Sequence, residues 1–333
     1  MAVGLHYLRH QLPVLGALGR SAAQAAMQSF GGKRGRKARG DGAPGRAPGP
    51  SGAEATLPLP GPELTTTVPP RDPALLRAFV QHLGGDPASY RGVVPPHFFP
   101  QWTFPVLTRT LEGIPYPLLA LLNGGCRMQV NAPIPLGVPL VTRAQLVGID
   151  DDGRRAILHQ RVTTGTTAAP EALVIDFHPI VKLGGKRDER GGDGKAKEKP
   201  TVPVDGVREI GRYALPARAG LDFALLTGDF NPVHGVPPAA RAMGMKHVIL
   251  HGFAELGRAI EALVKVLWAG DATRLGGVDV RFVRPLVLPK RVGVYVRENE
   301  LYVGDAPGGP AYMTGTFWVA GAEPGPNGDK KGA

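Results

Sequence analysis

The chain has 333 residues, of which 43% are hydrophobic, with 47 glycines, 34 prolines, one cysteine and a formal net charge of +11. This length and composition fit one large globular domain or two smaller ones. The single Cys126 excludes an intrachain disulfide and a cysteine-based zinc site, so we expect a soluble, cytoplasmic protein. No segment reaches the roughly 18 uncharged apolar residues that a membrane-spanning helix needs.

The excess positive charge is concentrated in two stretches of low complexity. Residues 1–50 contain eight Lys or Arg and one Asp, and residues 184–200 contain six basic and four acidic residues. The rest of the chain keeps too little net charge for a basic nucleic-acid-binding face. We therefore expect no nucleic-acid partner.

The first 70 residues are expected to form a mostly disordered basic tail. Their segment "GGKRGRKARGDGAPGRAPGPSG" is rich in Gly, Pro and Arg and has little apolar surface to bury. Ahead of it, four leucines at helical spacing predict a short amphipathic helix: Leu5, Leu8, Leu12 and Leu15. Such a helix could lie on an anionic membrane or serve in targeting, and the alternative is a frayed terminus.

A second low-complexity stretch divides the remaining chain into two blocks of similar size. Residues 184–200 are charged, rich in Gly and without periodicity, which is typical of a linker. The linker separates a block at 71–183 from a block at 201–322, each of ordinary domain size. Residues 323–333 are expected to be a disordered tail.

The two blocks contain a faint internal repeat. "GCRMQVNAPIPLGVPLVTRAQLV" begins at Gly125 and "VDVRFVRPLVLPKRVGVYV" begins at Val278, with Pro133 aligned to Pro285. Both stretches alternate apolar and polar residues as half-buried strands do, and Pro marks the break between strands. Each stretch continues into a hairpin and a final strand, with turns predicted at "DDDG" and "ENE".

A helix is predicted ahead of these strands in each block. "GFAELGRAIEALVKVLWAG" from Gly252 carries one broad apolar stripe: Phe253, Leu256, Ile260, Leu263, Val264 and Leu267. The first-block counterpart "PPHFFPQWTFPVLTRTL" contains Pro100 and Pro105, so its helix must be shorter or bent. Each block is therefore expected to be a long helix wrapped by an antiparallel sheet, and the pair an α+β pseudodimer.

The stretch "TGDFNPVH", Thr227 to His234, carries the residues suited to chemistry. Pro232 prevents a continuous helix, so the stretch is predicted to be a loop that runs into a short helix at "PPAARAMG". A loop can direct Asp229 and His234 into one pocket, with Asn231 holding their orientation. A carboxylate and a neutral imidazole that share a water form a workable acid–base pair.

The chain from Tyr213 to about Val319 resembles the MaoC-like (R)-specific enoyl-CoA hydratase family, also called hydratase 2 or 3-hydroxyacyl dehydratase. The signature of that family is small–Gly–Asp–x–Asn–Pro–aliphatic–His, and the loop "TGDFNPVH" matches it. A small residue follows some positions later, matched here by Ala239 and Ala240. The loop alone would be a weak signal, because Asp, Asn and Pro are common in ordinary turns.

Two further matches occur in the same order as in the family. A His-Gly pair opens the central helix of the family and corresponds to His251-Gly252. An Arg-x-x-x-Pro-aliphatic strand then follows and corresponds to Arg281 and Pro285-Leu286. The resemblance implies the hot-dog fold, and the length of the chain implies a double hot dog with its catalytic residues in the C-terminal domain alone.

The first block carries no copy of the catalytic loop. It contains only "LLRAFVQHL" at the position equivalent to Asp229. The segment "PPHFFP" resembles the non-catalytic half of the family, which helps to hold the acyl chain. His97 in this segment is either a structural residue or a ligand for the substrate.

The resemblance also implies a reaction and a set of site residues. Water adds to a trans-2-enoyl thioester to give a (3R)-hydroxyacyl product, or leaves in reverse, with Asp229 and His234 as the catalytic pair. Asn231, His251 and Gly252 are expected at the substrate, the backbone N–H of Gly252 facing the thioester oxygen at the helix N-terminus. His251 could orient the ligand or the loop, and the alternatives are a structural role for His251 and a tight turn at Gly252. The expected reaction needs no metal and no redox cofactor.

Several alternatives stay open at this point. A hot-dog acyl-CoA thioesterase would lack the Asp-x-Asn-Pro-x-His loop, and a catalytically silent acyl-binding subunit would keep the pair without turnover. The substrate could be carried by coenzyme A or by an acyl carrier protein, and the basic tail could contact a membrane or that carrier. The acyl chain length, the direction within fatty-acid metabolism and association into a homodimer are not fixed by the residues.

Overall fold

A computed structural model describes residues 3–12, 16, 58–117, 121–183 and 199–322. Their strands form one sheet of ten, in the order β1-β3-β4-β5-β2-β7-β10-β9-β8-β6, and every paired neighbour is antiparallel. The first five strands are β1 Leu64–Val68, β2 Leu122–Val130, β3 Leu140–Asp151, β4 Arg155–Gly165 and β5 Leu173–Lys182. The second five are β6 Arg208–Leu215, β7 Leu275–Phe282, β8 Lys290–Arg297, β9 Glu300–Gly304 and β10 Ala311–Val319.

The order of the strands confirms the internal repeat. Read inward from either edge, the two halves of the sheet place equivalent strands in the same sequence, and β2 pairs with its own equivalent, β7. Arg127 faces Asp279 in that pairing, and they are separated by the same number of residues as Pro133 and Pro285. The pseudo-two-fold axis therefore passes between Arg127 and Asp279.

Five α-helices with defined bounds, together with several short helical turns, lie within the described residues. The α-helices are α1 Pro73–Leu83, α2 Pro100–Thr110, α3 Ala219–Thr227, α4 Pro237–Ala242 and α5 Gly252–Ala262. A π-helical turn at Leu263–Leu267 extends α5, and 3₁₀ turns lie at Leu5–Gln11, Pro87–Tyr90, Pro96–Phe98, Pro232–His234 and Ala272–Arg274. Among the described residues, none of the helices has the length and apolar character to cross a bilayer.

The two central helices, α2 and α5, share one core. Nearly all of α5 is buried, whereas α2 is shorter than the extended α5 and contains Pro105, as predicted. The Phe253 ring of α5 lies 4.9 Å from the ring of Phe99 and 5.4 Å from that of Phe177, both in the first half. The predicted hairpin turns are present as well, since β3 leads into β4 and β8 into β9. These features confirm the expected α+β pseudodimer.

The predicted end of the disordered tail, at residue 70, is wrong because ordered structure begins before it. Strand β1 lies inside the predicted tail and pairs with β3, from Leu64 opposite Ala144 to Val68 opposite Leu140. Val68 is buried in the core, and this long-range pairing is invisible to local composition. Of the rest of the tail, residues 13–57 except 16 lie outside the described residues, as do 184–198 of the predicted linker and 323–333.

The predicted N-terminal amphipathic helix is a 3₁₀ turn whose buried face differs from the expected one. Leu5 and Leu12 are 74% and 64% exposed, whereas the polar Gln11 is fully buried. The buried face predicted from the leucine spacing is therefore wrong. Leu15 lies outside the described residues.

Candidate active site

The segment after α3 is a loop shaped by Gly, Asn and Pro. Helix α3 ends at Gly228, whose left-handed conformation (φ 83°) lets its N–H donate to the Ala224 carbonyl at 2.7 Å. Asn231 then caps the 3₁₀ turn Pro232–His234, its side-chain oxygen accepting the N–H of Val233 at 3.2 Å. The loop and the short helix α4 that follows it confirm the predicted local structure.

The loop brings Asp229 and His234 together, and His251 from the start of α5 joins them. One side-chain N or O atom of each of these three residues lies within 4.8 Å of the corresponding atoms of the other two. The Asp229 side chain is 24% exposed, whereas that of His251 is 1% exposed. The carboxylate therefore retains access to solvent, with an imidazole buried behind it.

The hydrogen bond of His234 fixes which of its nitrogens is free. Its Nδ1–H donates to the backbone carbonyl of Ile249 at 2.9 Å, since a carbonyl can only accept. In the neutral ring, Nε2 then carries the lone pair. Ile249 is fifteen residues further along the chain, and no sequence signal marks its carbonyl, which every residue type has. The sequence therefore predicts that His234 takes part in acid–base chemistry but does not indicate its tautomer.

His251 holds the loop through a hydrogen bond from its buried side. Its Nε2–H donates to the backbone carbonyl of Asp229 at 2.9 Å, and its ring stacks on that of His234 with centroids 3.6 Å apart and planes 25° apart. The same Nε2 lies 3.8 Å from the Asp229 carboxylate. Of the two roles expected from the sequence, orienting the ligand or the loop, these contacts favour orienting the loop.

The side-chain amide of Asn231 forms hydrogen bonds with backbone groups through both its oxygen and its nitrogen. Besides accepting the N–H of Val233, it donates its Nδ2–H to the Leu121 carbonyl at 3.4 Å. Leu121 precedes β2, so this contact ties the loop to the first half of the molecule. Both contacts favour a role in holding the loop over the expected contact with the substrate.

Gly252 occupies the first position of α5. The first hydrogen bonds of this helix run from Ala254 N–H and Glu255 N–H to the His251 carbonyl, so the Gly252 N–H has no partner within the helix. A Cβ at position 252 would lie 2.7 Å from the Phe282 ring. A larger residue here would therefore require the Phe282 ring to shift, although the φ angle of Gly252 is not in the left-handed region.

A second glycine brings the loop close to α3, and the sequence analysis did not identify it. A Cβ at Gly220 would collide with the backbone carbonyl oxygen of His234. Any larger residue at 220 would therefore push the 3₁₀ turn that carries His234 away from α3. A glycine within the apolar stretch seven residues before the motif was the available signal.

Burial shifts the pKa values of Asp229 and His234, each toward the usual value of the other. Removal from water raises the pKa of Asp229 above its usual 3.8, although the nearby His234 partly opposes this shift. Burial lowers the pKa of His234 below its usual 6.5, against the opposing effect of Asp229. Burial also lowers the pKa of His251, well below its usual range. Both imidazoles are therefore neutral at pH 7.

The same three residues have the chemistry of a metal-binding group. A carboxylate and two imidazoles at this separation could hold a divalent cation. Each imidazole, however, already donates one N–H to a carbonyl, which leaves His234 Nε2 and His251 Nδ1 as the available nitrogens. The sequence-based expectation of a metal-free reaction stays a prediction.

His97 lies elsewhere in the fold. Its Nε2 is 3.0 Å from the Glu261 carboxylate on α5, and both side chains are 1% exposed. Glu261 also borders a cleft of about 420 Å³ beside Gly85, and neither Asp229 nor His234 is in its wall. Of the two alternatives for His97, the buried pair favours the structural one.

Comparisons with known proteins bear on the family and the fold of this chain. The "MaoC like domain" family matches residues 196–307. The chain is 29% identical over 216 residues to a peroxisomal enoyl-CoA hydratase 2 of Arabidopsis thaliana, which covers 62% of this chain and 68% of that protein. It is 31% identical over 214 residues to 3-hydroxyacyl-thioester dehydratase Y of Mycobacterium tuberculosis, covering 61% and 69%. Enzymes with these names are hydro-lyases.

Solved structures support the fold. The crystal structure of HtdX of Mycobacterium tuberculosis superposes with a TM-score of 0.57 at 21% identity, over 76% of this chain and 99% of that one. A conserved protein of the same organism, described as a double hot-dog fold, gives a TM-score of 0.50 at 13% identity, over 79% and 96%. The motif order, the strand order and these matches agree: the chain belongs to the MaoC-like family and has its double hot-dog fold.

Proposed function

We propose that this protein is a hydro-lyase that adds water to a trans-2-enoyl thioester to form a (3R)-3-hydroxyacyl thioester, or catalyses the reverse dehydration. One observation carries the proposal: the carboxylate of Asp229 and a ring nitrogen of His234 lie within 4.8 Å of each other. A water molecule between them would contact both groups. The names of the relatives support an acyl thioester as the substrate, and one of them names the thioester of coenzyme A.

The geometry supports a single water shared by the pair. His234 Nε2 is the nitrogen left to accept a proton from that water, because Nδ1–H is bound to Ile249. As the water oxygen bonds to C3, its proton passes to the pair, and the pair returns a proton to C2. The two groups act as a coupled acid–base unit, because the charge of each one affects the pKa of the other.

The thioester oxygen gains negative charge as the oxygen attacks C3, so it needs a fixed donor. We assign this role to the backbone N–H of Gly252, which has no partner within α5 and lies at the positive end of the helix dipole. The absence of a Cβ at Gly252 allows a ligand to approach this N–H closely. Asn231 and His251 hold the loop, and the first half is proposed to hold the acyl chain.

The test is an assay of enoyl-CoA hydration across a series of acyl chain lengths, followed by the loss of ultraviolet absorbance of the conjugated thioester. A hydratase removes the conjugation without releasing thiol. Release of thiol from a saturated acyl-CoA would instead support a thioesterase, and tight acyl-CoA binding without turnover would support a silent acyl-binding subunit. Either result would contradict the proposal.

The pH dependence of hydration follows from the two pKa shifts. Protonating either group removes an acceptor from the shared water, so kcat/KM is expected to fall as the pH falls through the pKa values of the pair. Activity needs both groups deprotonated, and burial raises the pKa of Asp229 above its usual 3.8, so the midpoint of the acid limb should lie above 3.8. Initial rates between about pH 3 and about pH 8, with circular dichroism as a control for folding, measure this midpoint. A midpoint at or below 3.8 would contradict the pair as assigned.

A further inference from the structure

The N-terminal segment is joined to the helix that leads into the catalytic loop. Gln11, the last residue of the 3₁₀ turn Leu5–Gln11, is fully buried. Its side-chain Nε2–H groups donate to the backbone carbonyls of Leu225 and Leu226, at 3.1 and 3.0 Å. These carbonyls belong to the last turn of α3, immediately before Gly228 and Asp229.

These two carbonyls need a partner from outside the helix. The last four carbonyls of an α-helix lack intrahelical donors, and here the Gly228 N–H is bound to the Ala224 carbonyl. Leu225 and Leu226 are buried, so water has little access to their carbonyl groups. A buried carbonyl without a donor is costly, and the amide of Gln11 supplies a donor to each.

Contacts from both halves hold Gln11 in place. On the α3 side, the N–H of Val3 donates to the Asp222 carboxylate at 3.2 Å. On the first-half side, Gln101 Nε2 donates to the His10 carbonyl at 3.2 Å and to the Gln11 side-chain oxygen at 3.4 Å. The His10 imidazole also lies 3.3 Å from the Asp72 carboxylate. The segment therefore contacts both α3 and the first half of the molecule.

The two members of the catalytic pair are anchored differently. His234 is fixed by the Ile249 carbonyl, which lies outside α3. Asp229 is held at its backbone carbonyl by His251, and it also follows the end of α3, whose last turn is held by Gln11. Loosening this end of α3 would move Asp229 relative to His234. A displacement of about 1 Å at a catalytic group can lower a rate by about a hundredfold.

We propose that Gln11 is a positioning residue, and that the segment Leu5–Gln11 sets the position of Asp229 by capping α3. This inference rests on the proposed hydratase function for its kinetic consequence. Its structural consequence, a more mobile loop when the cap is lost, does not depend on that function.

The test replaces Gln11 with methionine in the full chain, which keeps the volume and removes both donors. We expect kcat for enoyl-CoA hydration to fall about tenfold or more with KM nearly unchanged, because the loss is one of alignment and not of substrate binding. Amide hydrogen exchange of residues 227–234 should accelerate about tenfold, whereas the strands β8 and β9 should exchange as before. Leu12→Ala, at an adjacent exposed residue, is the matched control and should behave as the wild type.

Gln11→Asn is the second variant, in case Gln11→Met fails to fold. It keeps the amide on a side chain shorter by one methylene, and should show smaller effects on kcat and on exchange in the same direction. Wild-type kcat and wild-type exchange in a folded Gln11 variant would overturn the proposal, as would equal effects from Leu12→Ala. If the wild type has no hydratase activity, the proposed function fails, and the exchange comparison alone decides the role of Gln11.

Discussion

Replacing Asp229 with asparagine, or His234 with glutamine, is expected to lower the rate of enoyl-CoA hydration by about a thousandfold or more. Each replacement keeps the approximate size of the side chain and removes its basic group, because an amide oxygen can accept a hydrogen bond from the water but cannot take its proton. Neither side chain fills the hydrophobic core, since both remain partly accessible. The variants should therefore stay folded, as judged by circular dichroism and thermal unfolding.

The double variant of Asp229 and His234 distinguishes two groups that act together from two groups that act independently. Because both residues act on one water, we expect the double variant to lose little more activity than either single variant. A second Asp–His pair provides the matched control: Asp150 and His159 lie 2.8 Å apart on strands β3 and β4, remote in sequence from the loop. Asp150→Asn with His159→Gln should leave the rate unchanged. Near-normal turnover in either the Asp229 or the His234 variant would contradict the assignment of these two residues as the catalytic pair.

Replacing His97 with leucine is expected to lower the free energy of unfolding by about 3–5 kcal/mol. His97 and Glu261 pair across the two halves at 3.0 Å with almost no exposure, so the variant leaves the Glu261 carboxyl group buried without its partner. Chemical denaturation measures the loss. Enoyl-CoA hydration by the folded fraction should keep its KM, because His97 is placed as a structural residue.

The rescue variant makes this prediction specific to the buried pair. Leucine at both His97 and Glu261 removes the two polar groups together, and should recover most of the stability that His97→Leu loses. No recovery in the double variant, or a loss below about 1 kcal/mol in His97→Leu, would contradict a mutually dependent pair. A raised KM with unchanged stability would restore the alternative that His97 contacts the substrate.

The fold was predictable where structure depends on local periodicity. The alternation of apolar residues around Pro133 and Pro285 predicted strands β2 and β7 and the repeat that relates them. The apolar stripe after Gly252 predicted α5, because a helix with one apolar face must bury it. The pairing of β2 with β7 joins the two halves into one sheet, and local periodicity does not contain that contact.

The remaining features depend on contacts between distant parts of the chain. Strand β1 lies next to a Gly/Pro-rich stretch and is stabilised by pairing with β3, so composition assigned it to the tail. Gln11 is buried because it caps a helix more than two hundred residues away, which no spacing of leucines could indicate. At the site, the loop motif predicted that Asp229 and His234 lie in one pocket. It did not predict the backbone anchors of His234 and His251, since every residue type has a carbonyl group.

Incubating the purified protein with a trans-2-enoyl-CoA in water labelled with oxygen-18 tests most directly whether the pair delivers water to C3. Mass spectrometry locates the label, and chiral analysis assigns the product. We predict one labelled oxygen on the C3 hydroxyl of a (3R)-3-hydroxyacyl-CoA, with the thioester intact and with almost no product from Asp229→Asn. Label in a free carboxylic acid alongside released coenzyme A, a (3S) product, or recovery of unchanged substrate would contradict the account.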